Sequence, residues 1–200
     1  MKRVELAARL TGLVLALALP ACGDDDENMT PSQSMENSFA KDSQTPPMGM
    51  ARMTAWLQRG DYKNWACESA VHAARSPSPH GFNRICSNGA IAAAATGTGP
   101  WPRGAAAVKE LLASETDPSP VGYAVYLKTA DDSAGGNNWY WYEIVPLDSA
   151  APHDTNGIVA DGMGNAGPAK SICVGCHAAA GSADHTPSAG GRDQVYTPVP

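Results

Sequence analysis

Cys173-Val174-Gly175-Cys176-His177, close to the end of a 200-residue chain, is a C-x-x-C-H motif. Two thiols at this spacing add to the two vinyl groups of one porphyrin, and the histidine that follows then ligates the iron from the proximal side. The motif therefore predicts a covalently bound c-type haem. A thioredoxin-like redox pair or half of a zinc site are the alternatives. The first occurs early in a βαβ unit and the second needs another ligand pair, and the sequence has neither context.

The sixth position on the iron is expected to be open or occupied by water. Residues 178–200 contain no methionine, and Met163 lies ten residues before Cys173. The distant downstream methionine that electron-carrier cytochromes use is therefore missing. An open position favours chemistry or gas binding. A simple electron carrier stays the alternative, and its sixth ligand would come from His72, His80, His153, His185 or Met163.

The first 21 residues have the features of a secretory signal, since three basic residues precede an apolar run at residues 10–19 that is too short to span a bilayer. The Leu-Pro-Ala-Cys sequence ending at Cys22 resembles the lipobox of bacterial lipoproteins, in which the cysteine is acylated. Several acyl chains on Cys22 would anchor the protein on the periplasmic side of the envelope, and Gly23 favours the outer membrane. A free cysteine near an ordinary cleavage site is the alternative.

Composition separates a tether from one folded domain. Residues 22–47 are acidic, rich in serine and poor in large apolar side chains, so they cannot build a core. Residues 48–200 suffice for one core and are predicted to form the haem-binding domain. Removal of residues 1–21, which carry three basic and one acidic side chain, changes the formal net charge from −6 to −8. This charge argues against nucleic acid as a partner.

Helical spacing is clearest at the start of the domain, in an apolar stripe that we assign to the core. The stripe consists of Met50, Met53, Trp56 and Leu57. Gly60-Asp61 predicts a break and an N-cap, followed by a second helix that stops at the Ser/Pro-rich residues 76–79. The second helix would carry Trp65, Cys67 and Val71.

Strand patterns dominate the middle of the chain. Residues 82–87 are predicted to form a strand that runs into a turn at Asn88-Gly89, and residues 90–95 a short helix. Residues 121–128 and 139–145 are aromatic and β-branched, which predicts an antiparallel hairpin. Its aromatic side chains either face the haem or pack against a helix layer.

Three further segments complete the interpretation. Residues 105–112 have helical propensity, because alanine, leucine, lysine and glutamate favour helices. Residues 147–170 are rich in glycine, proline and aspartate, which predicts a functional irregular loop. Residues 171–180 are predicted to form the helix that carries the haem motif.

Cys67 and Cys86 are left over once the lipid and haem cysteines are assigned. Two such cysteines in an oxidising compartment are expected to form a disulfide. Two buried free thiols are the alternative.

The order of these features resembles the cytochrome P-460 family, which includes the cytochromes c′-β. The resemblance covers residues 65–197: a Trp-Tyr-Trp-Tyr strand, a loop, the C-x-x-C-H motif, and Arg-Asp-Gln-Val-Tyr-Thr at residues 192–197. Val108-Lys109-Glu110-Leu111 is similar to the segment that in this family carries a lysine bonded to the porphyrin. Arg84 lies in the strand where the family has a distal-side arginine. The alternatives are a solvated charge pair for Lys109 and an edge-strand cation for Arg84.

The resemblance implies an α+β fold in which an antiparallel sheet with flanking helices holds one haem near the C-terminus, in a homodimer, and it favours a strand for residues 105–112. Cytochrome P-460 members imply oxidation of hydroxylamine, with electrons passed to an acceptor such as a soluble cytochrome. The c′-β members imply nitric oxide binding at a five-coordinate haem. The family's distal carboxylate cannot be aligned, and Asp154 and Asp161 are its acidic candidates in the loop.

Overall fold

An antiparallel sheet forms the centre of the fold in residues 45–74, 78–180 and 191–196, which a computed structural model describes. Within these residues the sheet has seven strands, and the order β1-β3-β4-β5-β6-β7 runs across it while β2 also pairs with β3. The strands are β1 (Ala66–Cys67), β2 (His72–Ala73), β3 (Phe82–Ser87), β4 (Ala106–Leu112), β5 (Gly122–Lys128), β6 (Trp139–Ile144) and β7 (Ile158–Met163). The predicted α+β class with an antiparallel sheet is confirmed.

One face of the sheet is covered by helix α1 (Met50–Arg59). Met53, Trp56 and Leu57 are buried against the sheet as the apolar stripe predicts, but Met50 is 40% exposed, so its assignment to the core is wrong. The core on this side also includes Cys86, Val108 and Tyr142.

The opposite face is covered by three short elements. They are helix α2 (Gly89–Ala94), a continuous helical stretch at residues 169–180, and a two-stranded hairpin of β8 (Gly191–Arg192) and β9 (Val195–Tyr196). A second core fills this side and includes Trp101, Trp139, Trp141, Cys173 and Val195. The C-x-x-C-H motif therefore packs on the sheet face that α1 does not cover.

The predicted second helix is wrong, because its residues form turns and the edge strands β1 and β2. Cys67 lies opposite Cys86 in the β1–β3 register, and the two sulfur atoms form the expected disulfide. Asp61 accepts hydrogen bonds from the Arg59 guanidinium instead of capping a helix. The pairing of β1 and β2 with β3 therefore outweighs the helical spacing of the apolar residues in this segment. Closing a loop of this length contributes roughly 3 kcal/mol of stability in the chain-entropy account.

Strand β4 settles the ambiguity of residues 105–112 in favour of a strand. It lies between β3 and β5, and Ala106, Ala107 and Val108 are each at most 1% exposed. A central strand that is covered on both faces accepts small apolar residues despite their helical propensity.

Asn88 does not form a turn as predicted but caps α2, because its side chain accepts the Ile91 backbone N–H.

The irregular loop predicted for residues 147–170 is wrong in part, because it contains β7. This strand pairs with β6 and extends the sheet by one edge strand. Gly157 makes the close approach possible, since a Cβ at this position would lie 2.3 Å from the Val145 carbonyl oxygen. The glycine that suggests a loop in the sequence is required where two backbones come together.

Residues 1–44 lie outside the described residues, and so do the predicted signal, Cys22 and most of the tether. Among the described residues no helix combines the length and the apolar character needed to cross a membrane.

Candidate haem site

The C-x-x-C-H motif lies on the helical stretch at residues 169–180, which we call the motif helix. It begins as a π-helical turn (Ala169–Val174) and continues through Gly175–His177 to a 3₁₀ turn (Ala178–Ala180). Cys173 is buried and Cys176 half-buried, and neither forms a disulfide with another described cysteine. Gly164 allows the motif helix to come close to the end of β7, because it has no side chain. A Cβ at this position would lie only 2.7 Å from the Val174 side chain.

His177 is held with one ring nitrogen already in use. Its Nδ1 lies 2.6 Å from the Gln194 carbonyl oxygen. A carbonyl only accepts, so Nδ1 carries the hydrogen and the lone pair remains on Nε2, the nitrogen that an iron ligand needs. Burial lowers the pKa of His177 to about 4, and the nearby Lys109 and His80 add to this shift. The imidazole is therefore neutral at neutral pH, which is its ligand form.

Aromatic rings fix the plane of His177. The ring centroids of Trp141, Tyr196 and Tyr126 lie 4.6, 5.4 and 6.0 Å from that of His177. Trp141 is 3% exposed, and its Nε1–H has no hydrogen-bond partner among the described residues. A buried donor without a partner next to the candidate ligand is consistent with a site built for a further group.

The β8–β9 hairpin holds the carbonyl that orients His177. Asp193 and Gln194 form its turn with φ values of 46° and 71°. The Asp193 carboxylate is fully buried and lies 2.8 Å from the equally buried Lys128 ammonium. It also accepts the Trp101 backbone N–H. The conspicuous sequence at residues 192–197 thus positions the haem motif as far as it is described, and Thr197 lies outside the described residues.

A cavity of about 30 Å³ adjoins Cys173 and His177. Its lining includes Lys109 and Glu143, which lie in one row across the sheet with Ala124 between them. Ala124 has only a methyl group, so the space between the two charged side chains is not filled from the sheet. The structure therefore brings Lys109, predicted from the sequence, into the same cavity as the motif.

The sequence does not predict that His80 and Glu143 contact each other in the cavity. His80 lies between Lys109 and Glu143, with Nδ1 at 3.3 Å from Lys109 Nζ and Nε2 at 3.3 Å from Glu143 Oε1. Glu143 is 7% exposed. Alternation along β6 gives the only sequence signal for it, because Glu143 lies two residues after Trp141 and therefore on the same face.

Arg84 is not brought to this cavity. It lies opposite Glu110 in the β3–β4 register, and its guanidinium contacts the Glu110 carboxylate at 2.6 and 2.8 Å. Glu110 also accepts a hydrogen bond from Tyr62, on the face that α1 covers. Lys109 and Glu110 are consecutive in a strand, so their side chains point to opposite faces. The geometry therefore gives Arg84 a structural ion pair on the other side of the sheet.

The acidic candidates from the loop lie elsewhere too. Asp161 accepts hydrogen bonds from Tyr140 and from the Met50 backbone, on the α1 face. Asp154 is exposed and accepts the Asn156 and Ile158 backbone N–H groups, which lower its pKa. Glu143 is the carboxylate that the described residues present to the cavity.

Most of the described candidates for the sixth ligand of the iron also lie away from the cavity. His72 pairs with Glu68, His153 contacts the Asp154 carbonyl, and Met163 packs against the α1-side core. His185 lies outside the described residues. Of the candidates that are described, His80 alone lines the cavity.

The donor set fits a c-type haem better than a directly bound metal ion. No group of three or more His, Cys, Asp or Glu in the described residues could hold a metal. A haem iron needs one protein nitrogen, and the porphyrin needs the two thiols, all of which the motif helix supplies. The cavity of about 30 Å³ is far smaller than the roughly 300–1,000 Å³ of ordinary ligand pockets, so attachment of a haem requires its walls to move apart.

No protein-family model matches the chain, and no curated protein matches it. The resemblance to the cytochrome P-460 family and the homodimer that it implies therefore stay predictions.

Proposed function

We propose that this chain is a c-type haem protein that oxidises hydroxylamine, or a related small nitrogen compound, and passes the electrons to an external acceptor. The observation that supports the proposal best is the convergence of Cys173, His177, Lys109 and Glu143 on one cavity. Thiol attachment, iron ligation and proton acceptance are the chemical roles that such a reaction needs from the protein.

Cys173 and Cys176 would hold the haem through two thioether bonds, and His177 would ligate the iron through Nε2. When bound, the haem would supply one-electron redox chemistry at its iron. The Gln194 carbonyl keeps His177 in the tautomer that leaves Nε2 free. Lys109 is the residue that would be bonded to the porphyrin, as the family resemblance implies.

Glu143 is the proton acceptor in this proposal. Oxidation of hydroxylamine releases protons as well as electrons, so a base is required within reach of the cavity. The Glu143 carboxylate lines the cavity and contacts His80. Arg84 has no part in the proposal, because its guanidinium is paired with Glu110 on the other face.

The proposed location is the periplasmic side of the envelope, with a lipid anchor on Cys22. Mass spectrometry of protein extracted from membranes should identify an acylated N-terminal Cys22. A soluble product that begins at another residue contradicts the anchor.

Turnover by the mature protein tests the function. With hydroxylamine and an oxidised soluble cytochrome as the acceptor, we expect the acceptor to be reduced in proportion to the hydroxylamine consumed. Lys109→Ala should keep the haem but lose this activity, because an unmodified porphyrin has a different electronic structure. The matched control is Lys170→Ala, which removes an exposed lysine from the motif helix.

Two other results would replace the enzyme by another class of protein. Tight nitric oxide binding at a five-coordinate haem without turnover would make this a gas-binding protein. A six-coordinate haem that binds neither compound would make it an electron-transfer cytochrome, with His80 as the described candidate for the sixth ligand.

A further inference from the structure

We propose that Lys109 is a nucleophilic amine activated by His80 and Glu143, and that the cavity takes a small carbonyl compound as an imine on Lys109. We call these three residues the lysine triad. Imine formation would take place before a haem is attached, because a Lys109 amine that is bonded to the porphyrin cannot also form an imine.

The first argument is the connectivity of the three side chains. A nucleophile within reach of a base, with that base oriented by a third group, is the general signature of an activated nucleophile. His80 has Lys109 Nζ at 3.3 Å from one ring nitrogen and Glu143 Oε1 at 3.3 Å from the other. Distances of this length are common before a ligand is bound.

The second argument is that the roles of the atoms are complementary. The lysine ammonium only donates and the glutamate carboxylate only accepts, so Nδ1 of His80 accepts from Lys109 and Nε2–H donates to Glu143. Transfer of a proton into Nδ1 and out of Nε2 leaves a neutral imidazole. The imidazole can therefore carry the lysine proton to Glu143 without itself holding a charge.

The third argument is that the sheet fixes the spacing of the three partly buried side chains. Lys109 and Glu143 are two strands apart in the same row, and Ala124 between them leaves space for the imidazole. Glu143 is 7% exposed, and the His80 side chain is 16% exposed. The other titratable groups that line the cavity are Cys173, His177, Tyr126 and Tyr142.

The reaction balances without an oxidant or a reductant. The Lys109 ammonium gives one proton through His80 to Glu143, and the amine nitrogen bonds to the carbonyl carbon. The carbonyl π bond breaks, and its oxygen becomes a hydroxyl group by taking a proton from the nitrogen. Glu143 returns its proton through His80 to this hydroxyl group, which leaves as water, and a protonated imine remains on Lys109.

Cavity size restricts the carbonyl compound to one of few atoms. The cavity has about 30 Å³, whereas one water molecule needs roughly 10–15 Å³ of such space, so a two-carbon aldehyde requires smaller movements of the walls than a larger one. An aromatic aldehyde should be excluded. Acetaldehyde and benzaldehyde are therefore the matched pair of probes.

The test uses the full-length chain with Cys173→Ala and Cys176→Ala, so that no haem occupies Lys109. The chain is treated at pH 7 with acetaldehyde and cyanoborohydride, and peptide mass spectrometry follows alkylation of Lys109 and of the exposed Lys170. We expect His80→Gln to slow labelling of Lys109 roughly tenfold or more, in the range of general-base effects, without changing Lys170. His72→Gln, which removes another glutamate-paired histidine away from the cavity, should change neither lysine.

Equal labelling of Lys109 with and without His80 overturns the triad. Equal ratios of Lys109 to Lys170 labelling with acetaldehyde and benzaldehyde overturn the size limit that the cavity sets. Where His80→Gln alters the near-ultraviolet circular dichroism, Glu143→Gln gives the decision, because it keeps the imidazole and removes the proton acceptor. Slower labelling of Lys109 in that variant supports the triad, and unchanged labelling overturns it.

This experiment is separable from the proposed function. In the mature protein, a Lys109 peptide free of porphyrin contradicts the proposed bond to the haem whatever the aldehyde labelling gives. Labelling that does not depend on His80 contradicts the triad even where the porphyrin bond is present.

Discussion

Replacing Asp193 by asparagine is expected to lower the free energy of unfolding by about 3–5 kcal/mol, the usual result of removing one partner of a buried ion pair. The Lys128 ammonium and the Asp193 carboxylate are both fully buried and lie 2.8 Å apart. The change leaves Lys128 charged without a counter-charge. Asparagine tolerates the left-handed backbone at this turn, so the loss should come from the charge. Urea denaturation measures it.

A second variant separates the ion pair from the turn. Lys128→Met combined with Asp193→Asn removes both charges, and we expect it to regain most of the lost stability, since apolar replacements of buried pairs are often neutral. The account of the pair fails if Asp193→Asn alone costs less than about 1 kcal/mol. It also fails if the double variant is no more stable than the single one.

Glu143→Gln is expected to reduce the rate of hydroxylamine oxidation by roughly 10²–10⁴-fold, the usual contribution of a general base. Glutamine keeps the shape of the side chain and removes its ability to take a proton. The thiols and His177 are unchanged, so haem content should be normal. Steady-state kinetics with a soluble electron acceptor, normalised to haem, measure the effect.

Glu110→Gln is the matched control for this prediction. Glu110 is also a buried glutamate in the sheet, but it contacts Arg84 and Tyr62 on the face that α1 covers. Its replacement should lower stability and leave kcat per haem unchanged. Equal losses of kcat in the two variants would mean that Glu143 acts only through the fold.

The aromatic hairpin was predictable because residues 121–128 and 139–145 are rich in aromatic and β-branched residues, which favour strands. The edge strands were not. Cys67 is drawn into β1 by its pairing with Cys86, and β7 is held by pairing with β6 in a segment whose glycine and aspartate suggest a loop. Both strands exist because of partners distant in sequence, which local propensity does not contain.

The candidate site was also predictable only in part. The motif itself gives the thiols and His177, whereas the meeting of His80, Lys109 and Glu143 depends on the register of three strands. Alternation alone indicates that Lys109 and Glu110 face opposite ways. Alternation alone does not show on which face Arg84 lies, because that face is fixed by the pairing of Arg84 with Glu110.

Mass spectrometry of the mature protein after trypsin tests the central claim most directly. Cleavage after Lys170 and Arg192 gives a peptide of residues 171–192 that contains both motif cysteines. We predict that this peptide carries one haem on Cys173 and Cys176, joined also to a peptide in which Lys109 is uncut. A peptide of residues 171–192 with two free thiols, from protein that has been exported and matured, would contradict the account.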